Sequence, residues 1–108
     1  MKSRPDSVAF GLKPEIFQQL STIFQAYENI DSVVLYGSRA KGTYHDGSDI
    51  DLTIKGDLIT DSLVGKVEEE IDDLLLPYSF DISSWQQIDN LALREHIERV
   101  GVVIYQKQ

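Results

Sequence analysis

The chain has 108 residues, with ten Lys and Arg against eighteen Asp and Glu, a formal net charge of −8, no cysteine and two histidines. That length is one domain, able to bury somewhat more than ~60% of the surface its unfolded chain exposes, and its acidic balance argues against general binding to a phosphate backbone, which needs clustered basic residues. Disulfides, thiolate chemistry and cysteine-ligated zinc are excluded, a histidine-rich metal site is disfavoured, and any metal has to be held by oxygen.

No apolar run nears the ~18 residues of a membrane helix, and the leading MKSRPDS lacks the apolar stretch of a secretory signal, so a soluble cytoplasmic protein without membrane contact is expected. After this polar leader, Pro14 fits a first helical turn, and Ile16, Phe17, Leu20, Ile23, Phe24 and Tyr27 follow at helical spacing. Residues 33–36, Val-Val-Leu-Tyr, form a short β-rich run ended by Gly37. Residues 50–54 alternate Ile50, Leu52 and Ile54 with Asp51 and Thr53, and Asp49 precedes them in the same phase. Only about a dozen residues, with an Asp46-Gly47 turn signal, separate the two runs, which barely reaches the minimum for a parallel crossover. An antiparallel pair is expected, with Ser38 and the two aspartates meeting at one end of the sheet.

Residues 59–75 place Leu63, Val67, Ile71 and Leu74 on one stripe and Glu68, Glu69, Asp72 and Asp73 on the other, with Thr60 or Asp61 as the cap. Beyond Pro77, Ser79 to Ser83 reads as a third strand, with Phe80 and Ile82 on one side and Ser79, Asp81 and Ser83 on the other. A last helix near 89–100, with Leu93, Ile97 and Val100 in phase and Gly101 as its stop, leads into Val102 to Tyr105, a short added strand. Trp85 and Phe80 are expected in the core. The order of elements predicts an α/β (α+β) domain over residues 1–108, a small mixed β-sheet with helices packed on it.

Three carboxylates then fall on strand faces that otherwise carry Ser and Thr. Asp49 and Asp51 project on the same side about 7 Å apart at their α-carbons, and Asp81 repeats the pattern. Such an array repels itself and is relieved by divalent cations. Magnesium fits, being liganded by oxygen and usually held by one or two carboxylates plus substrate phosphates. Three carboxylates can hold two ions about 3.5–4 Å apart, the arrangement that aligns attacking and leaving oxygens in phosphoryl or nucleotidyl transfer. Gly37 permits a phosphate to approach the backbone, the N–H groups of Ser38 to Ala40 start a short helical turn, and the Ser38 hydroxyl adds a donor. Arg39 and Lys41 are candidates to neutralise a triphosphate. His45 is read as a solvent-facing loop residue.

Residues 35–54, LYGSRAKGTYHDGSDIDLTI, resemble the signature of the DNA polymerase beta-like nucleotidyltransferase superfamily, and GSRAKG with SDIDL is similar to its minimal nucleotidyltransferases. The likeness spans essentially the whole chain, with Asp81 in FDIS at the third acidic position. It implies that Gly37 and Ser38 hold a nucleoside triphosphate, that Asp49, Asp51 and Asp81 are the catalytic and metal-binding acids for one or two Mg2+ ions, and that Asp81 helps activate the attacking hydroxyl. The implied reaction is transfer of a nucleoside monophosphate, AMP from ATP, with release of pyrophosphate. The loop reads TYHD where relatives often carry a basic residue.

Larger members carry a helical acceptor-binding domain, for which no length remains after Gln108, so the resemblance implies a separately encoded helical partner of the HEPN type. The pair would be a toxin–antitoxin module, a homo- or hetero-oligomer in which this chain silences its partner by adding AMP. Two other readings stand: a nucleotide- or protein-binding antitoxin whose active site is residual, and a nucleotidyltransferase acting on a small cationic molecule such as an aminoglycoside.

Overall fold

In the computed structural model, which describes residues 9–108, the helical period that begins at Pro14 becomes α1 (Pro14–Gln25). Pro14 sits in the first turn, where its missing N–H has no intrahelical partner to lose, and Ile16, Leu20, Ile23 and Phe24 form the buried stripe. The polar leader before residue 9 lies outside the described residues. β1 (Ile30–Tyr36) starts ahead of the expected Val33. Ile30 and Ser32 pair with Gly56 and Lys55 across a register shift, which carries the strand past the exposed Asp31. The chain then winds into α2 (Gly37–Lys41), which Gly42 closes in the left-handed region at φ 87°, and returns as β2 (Ile50–Gly56). The pairing is antiparallel, as the loop length requires.

Thr60 caps α3 (Asp61–Asp72) by accepting from the Leu63 N–H, and Val67 and Ile71 face inward. This helix is the crossover to β3 (Phe80–Ser84), which lies parallel to β2. A single 3-10 turn at Trp85–Gln87 leads to α4 (Leu91–Val100), capped by Asn90, and then to β4 (Val102–Gln106), antiparallel beside β1. Gly101 does end α4, but at φ −63° it is not there for a left-handed turn. A β-carbon would overlap the Ile97 carbonyl oxygen and the Val34 side chain, so a close approach selects glycine.

The sheet order is β3-β2-β1-β4, a mixed α+β arrangement. One face buries Val33, Leu35, Ile50, Leu52, Ile54 and Ile82 against α1 and α3. The other face meets α4, where Val34, Tyr36 and Ile97 form a smaller cluster with Leu93, Val100, Trp85 and Ile88 at its margin. Trp85 is thus not a residue of the main core. It is half-buried on the α4 side, with the Lys55 ammonium 4.6 Å and the Arg94 guanidinium 4.0 Å from its ring centre. No helix among the described residues is long and apolar enough to cross a membrane.

Candidate active site

Side chains alternate along a strand, so the residues that do not enter the main core collect on the other side of the sheet. Register puts Tyr36 of β1 level with Asp51 of β2, and Asp51 level with Asp81 of β3, so one row crosses three strands. Adjacent strands are ~4.8 Å apart, which makes the Asp51 and Asp81 carboxylates neighbours. Asp49, one residue before β2, is in phase with Asp51 and joins them from the loop side. Asp51 is half-buried, while Asp49 and Asp81 are exposed.

The electrostatics carry the same message. Burial, followed by the charges of Asp81 and then Asp49, pushes the Asp51 carboxyl up to about 6. The Tyr36 phenol is also pushed up, mainly by burial, with the Ser83 hydroxyl opposing the shift and the Asp81 and Asp51 charges adding to it. One step along the strands, Ser83 Oγ donates to Thr53 Oγ1 at 3.1 Å, and Thr53 Oγ1 donates to the Ser83 carbonyl at 3.4 Å. A phenol and two hydroxyls therefore border the acidic row.

The glycine-serine turn closes on the row from the end of β1. Gly37 has φ 78°, in the left-handed region, and a β-carbon on it would overlap Oδ2 of Asp51. Backbone conformation and close approach both demand glycine here. Ser38 is half-buried beside it, its carbonyl accepting from the N–H groups of Gly42 at 2.9 Å and Thr43 at 3.1 Å. Lys41 is exposed.

Arg39 has a different place from the one expected. Its side chain is only 2% exposed. Nε and Nη2 donate to the Ser48 carbonyl at 3.1 and 3.0 Å, Nη1 to the Phe10 carbonyl at 3.0 Å, and Nη2 to the Asp46 carbonyl at 3.4 Å. The rings of Tyr44 and Tyr78 lie 5.2 and 5.3 Å from the guanidinium carbon. A guanidinium held this way is part of the loop's framework and is not offered to a triphosphate, because withdrawing it would strand several carbonyls. By gripping Ser48 it sets where the chain leaves the loop for Asp49.

Some residues at the site escape a sequence reading. Tyr36 reads as one more apolar strand residue, and Thr53 and Ser83 as ordinary polar ones. His96 is the least visible: its Nε2 accepts the Gly37 N–H at 3.1 Å, and its ring lies edge-on to Tyr36 with centres 6.2 Å apart. The available signal is that His96 falls three residues after Leu93 and four before Val100, on the packed stripe of α4.

The donor set suits a hard cation. Asp49, Asp51 and Asp81 offer oxygen alone, and the raised Asp51 marks negative charge that a divalent ion would relieve. Among the described residues no group of three or more His, Asp or Glu side chains is placed so as to hold a metal ion by itself. Magnesium, which retains waters and takes phosphate oxygens as ligands, does not require such a cage.

Residues 18–108 match the family described as Polymerase beta, Nucleotidyltransferase. No curated protein sequence matches the chain. Similar solved structures include a toxin–antitoxin with AMP-PNP, at 17% identity and TM-score 0.69 over 85% of this chain and 74% of that one. A mutant of the toxin–antitoxin MntA-HpeT is similar at 13% identity and TM-score 0.68, with 85% and 74% covered. A tri-AMPylated Shewanella oneidensis HEPN toxin in complex with MNT antitoxin follows at 12% identity and TM-score 0.65, with 87% and 72% covered. At such identities the likeness is one of fold.

Proposed function

The chain belongs to the polymerase beta nucleotidyltransferase family, and we propose that it transfers AMP from ATP to a hydroxyl of a separately encoded helical protein of the HEPN type, as the antitoxin of a toxin–antitoxin pair. The observation that carries this reading is the row of Tyr36, Asp51 and Asp81 in register across three strands, with the Gly37 turn packed against Asp51. The similar folds found in complexes with toxins, one with AMP-PNP and one with an AMPylated HEPN toxin, support the choice of nucleotide and acceptor.

In this reading the turn that Gly37 opens holds the triphosphate through the backbone N–H groups from Ser38 onward and the Ser38 hydroxyl, and exposed Lys41 neutralises part of its charge. Asp49, Asp51 and Asp81 would hold Mg2+, which when bound neutralises charge on the phosphates and lowers the pKa of an oxygen it binds. Asp81, exposed at the edge of the row, accepts the proton of the attacking hydroxyl. The hydroxyl oxygen bonds to the α-phosphorus, the bond to the bridging oxygen breaks, and pyrophosphate leaves. Asp51, less exposed than its neighbours and raised in pKa, needs the cation to stay ionised in a crowded array.

The test is to combine the chain, a purified HEPN-type partner, Mg2+ and labelled ATP, beside the Asp49→Asn, Asp51→Asn double variant. Label on the partner with the native chain alone is the expected result. No label with either protein would count against the enzymatic reading. A second reading, an antitoxin that acts by binding alone, draws on the withdrawal of Arg39 into the loop. Its sign is full neutralisation of the partner by the double variant.

A further inference from the structure

α4 is held at both ends before it reaches the site. At its start, Asn90 caps the helix, and Arg94 Nη1 donates to the carbonyls of Trp85 at 2.9 Å and Ile88 at 2.8 Å, tying the first turn to the exit of β3. At its end, Gly101 lies close against the Ile97 carbonyl and the Val34 side chain, with no room for a β-carbon, and Ile97 is buried in the cluster with Tyr36. His96 stands between these anchors, half-buried, with Nε2 accepting the Gly37 N–H at 3.1 Å and its ring on the edge of the buried Tyr36. Gly37 in turn occupies a left-handed conformation with its α-carbon against the Asp51 carboxylate.

These contacts form a chain that runs from α4 through His96 to the turn and on to the acid. We propose that His96 is a positioning residue, which fixes the Gly37-Ser38 turn against Asp51 by taking the Gly37 N–H, so that this amide does not reach a nucleotide and the grip begins at Ser38. The inference rests on the reading of that turn as the triphosphate site. Its chemistry requires a neutral imidazole with the proton on Nδ1, since Nε2 must be the acceptor. An acceptor at that point holds the turn closed against the acidic row. Without it the Gly37 N–H, half-buried, either goes unpaired or rotates toward solvent and takes the turn with it.

Two substitutions separate this from simple packing. His96→Phe keeps an aromatic ring on Tyr36 but has no acceptor. His96→Gln places an amide oxygen near the position of Nε2. Calorimetric titration with Mg-ATP is expected to give binding weakened about tenfold by His96→Phe and largely restored by His96→Gln, the size of one lost hydrogen bond. In AMP transfer the loss should fall on KM for ATP more than on kcat. A second measurement is independent of nucleotide: the 15N shifts of His96 at mildly alkaline pH should report the Nδ1–H tautomer, and Gly37 amide exchange should be slow in the native chain and fast in His96→Phe. Unchanged ATP affinity in His96→Phe, no rescue by His96→Gln, or an Nε2–H tautomer in the native chain would overturn the proposal. If the native chain binds no ATP, the nucleotide reading fails, and the tautomer with the Gly37 exchange rate still decides whether His96 holds the turn.

Discussion

Leu52 and Asp51 are chain neighbours with opposite surroundings. Leu52 has no solvent exposure and touches the layer formed by α1 and α3, while Asp51 looks out on Asp81, Asp49 and the Gly37 turn. The same alternation repeats in Leu35 and Tyr36 on β1 and in Ile82 and Asp81 on β3. One face consists of apolar side chains whose removal from water stabilises the fold, and the other, beside its smaller cluster under α4, gathers like charges that work against it. Stability and chemistry are therefore separated by single residues along each strand, and substitutions in adjacent positions should fail in different ways.

The sharpest contrast is Asp51→Asn. AMP transfer should fall by more than about 100-fold, as expected when a metal-binding carboxylate is lost, with no drop in the urea midpoint, because a repelled charge has been removed. Transfer within a few-fold of native, or a lost fold, would erase the distinction between the faces. Leu52→Ala should do the reverse. It should cost about 2–5 kcal/mol of unfolding free energy in a urea titration, out of a total of about 5–15, with the transfer rate per folded molecule unchanged.

A smaller contrast lies within α2. Arg39→Met should lower stability by about 1–3 kcal/mol, because the Ser48 and Phe10 carbonyls lose their donors. Lys41→Met should leave stability within about 0.5 kcal/mol while weakening Mg-ATP binding. If Arg39→Met weakened ATP and left stability alone, Arg39 would belong to the triphosphate after all. The last contrast is in pH. The Asp51 carboxyl is raised in the folded chain from 3.8 to about 6, so the folded protein binds the extra proton. Its stabilising contribution is present below the ordinary carboxylate range and is lost as pH rises through about 6. Urea midpoints of the metal-free chain should decline across that interval, and Asp51→Asn should flatten the decline.

Much of this layout is legible in the residues. The alternation of Ile50, Leu52 and Ile54 gives both the strand and its buried face, the short return after Gly37 gives the antiparallel pair, and Thr60 marks the start of α3. Asp81 repeats the phase of Asp51, and β3 sets them level. What the chain order hides is where long polar side chains turn. Arg39 sits next to Ser38 in sequence, but its guanidinium has carbonyls of Phe10 and Ser48 to satisfy, which are brought near only by the loop's own path. His96 meets Gly37 because α4 docks on the far side of the sheet, a contact between residues far apart in the chain that no local period announces. Trp85 looks like core by type, and two flanking cations keep it at the margin.

β3 is an edge strand, and the acid it carries is the last of the three in chain order. Asp49, Asp51 and the glycine turn belong to one hairpin whose strands follow each other closely, so they form from nearby parts of the chain, whereas Asp81 arrives only after α3 has crossed over. A partial opening that frees β3 and α3 would leave the hairpin intact and the row one acid short. If the proposed reading holds, such an opening would spare the turn assigned to the triphosphate and remove the acid assigned to the attacking hydroxyl, so nucleotide binding and transfer would part company at one short outer strand.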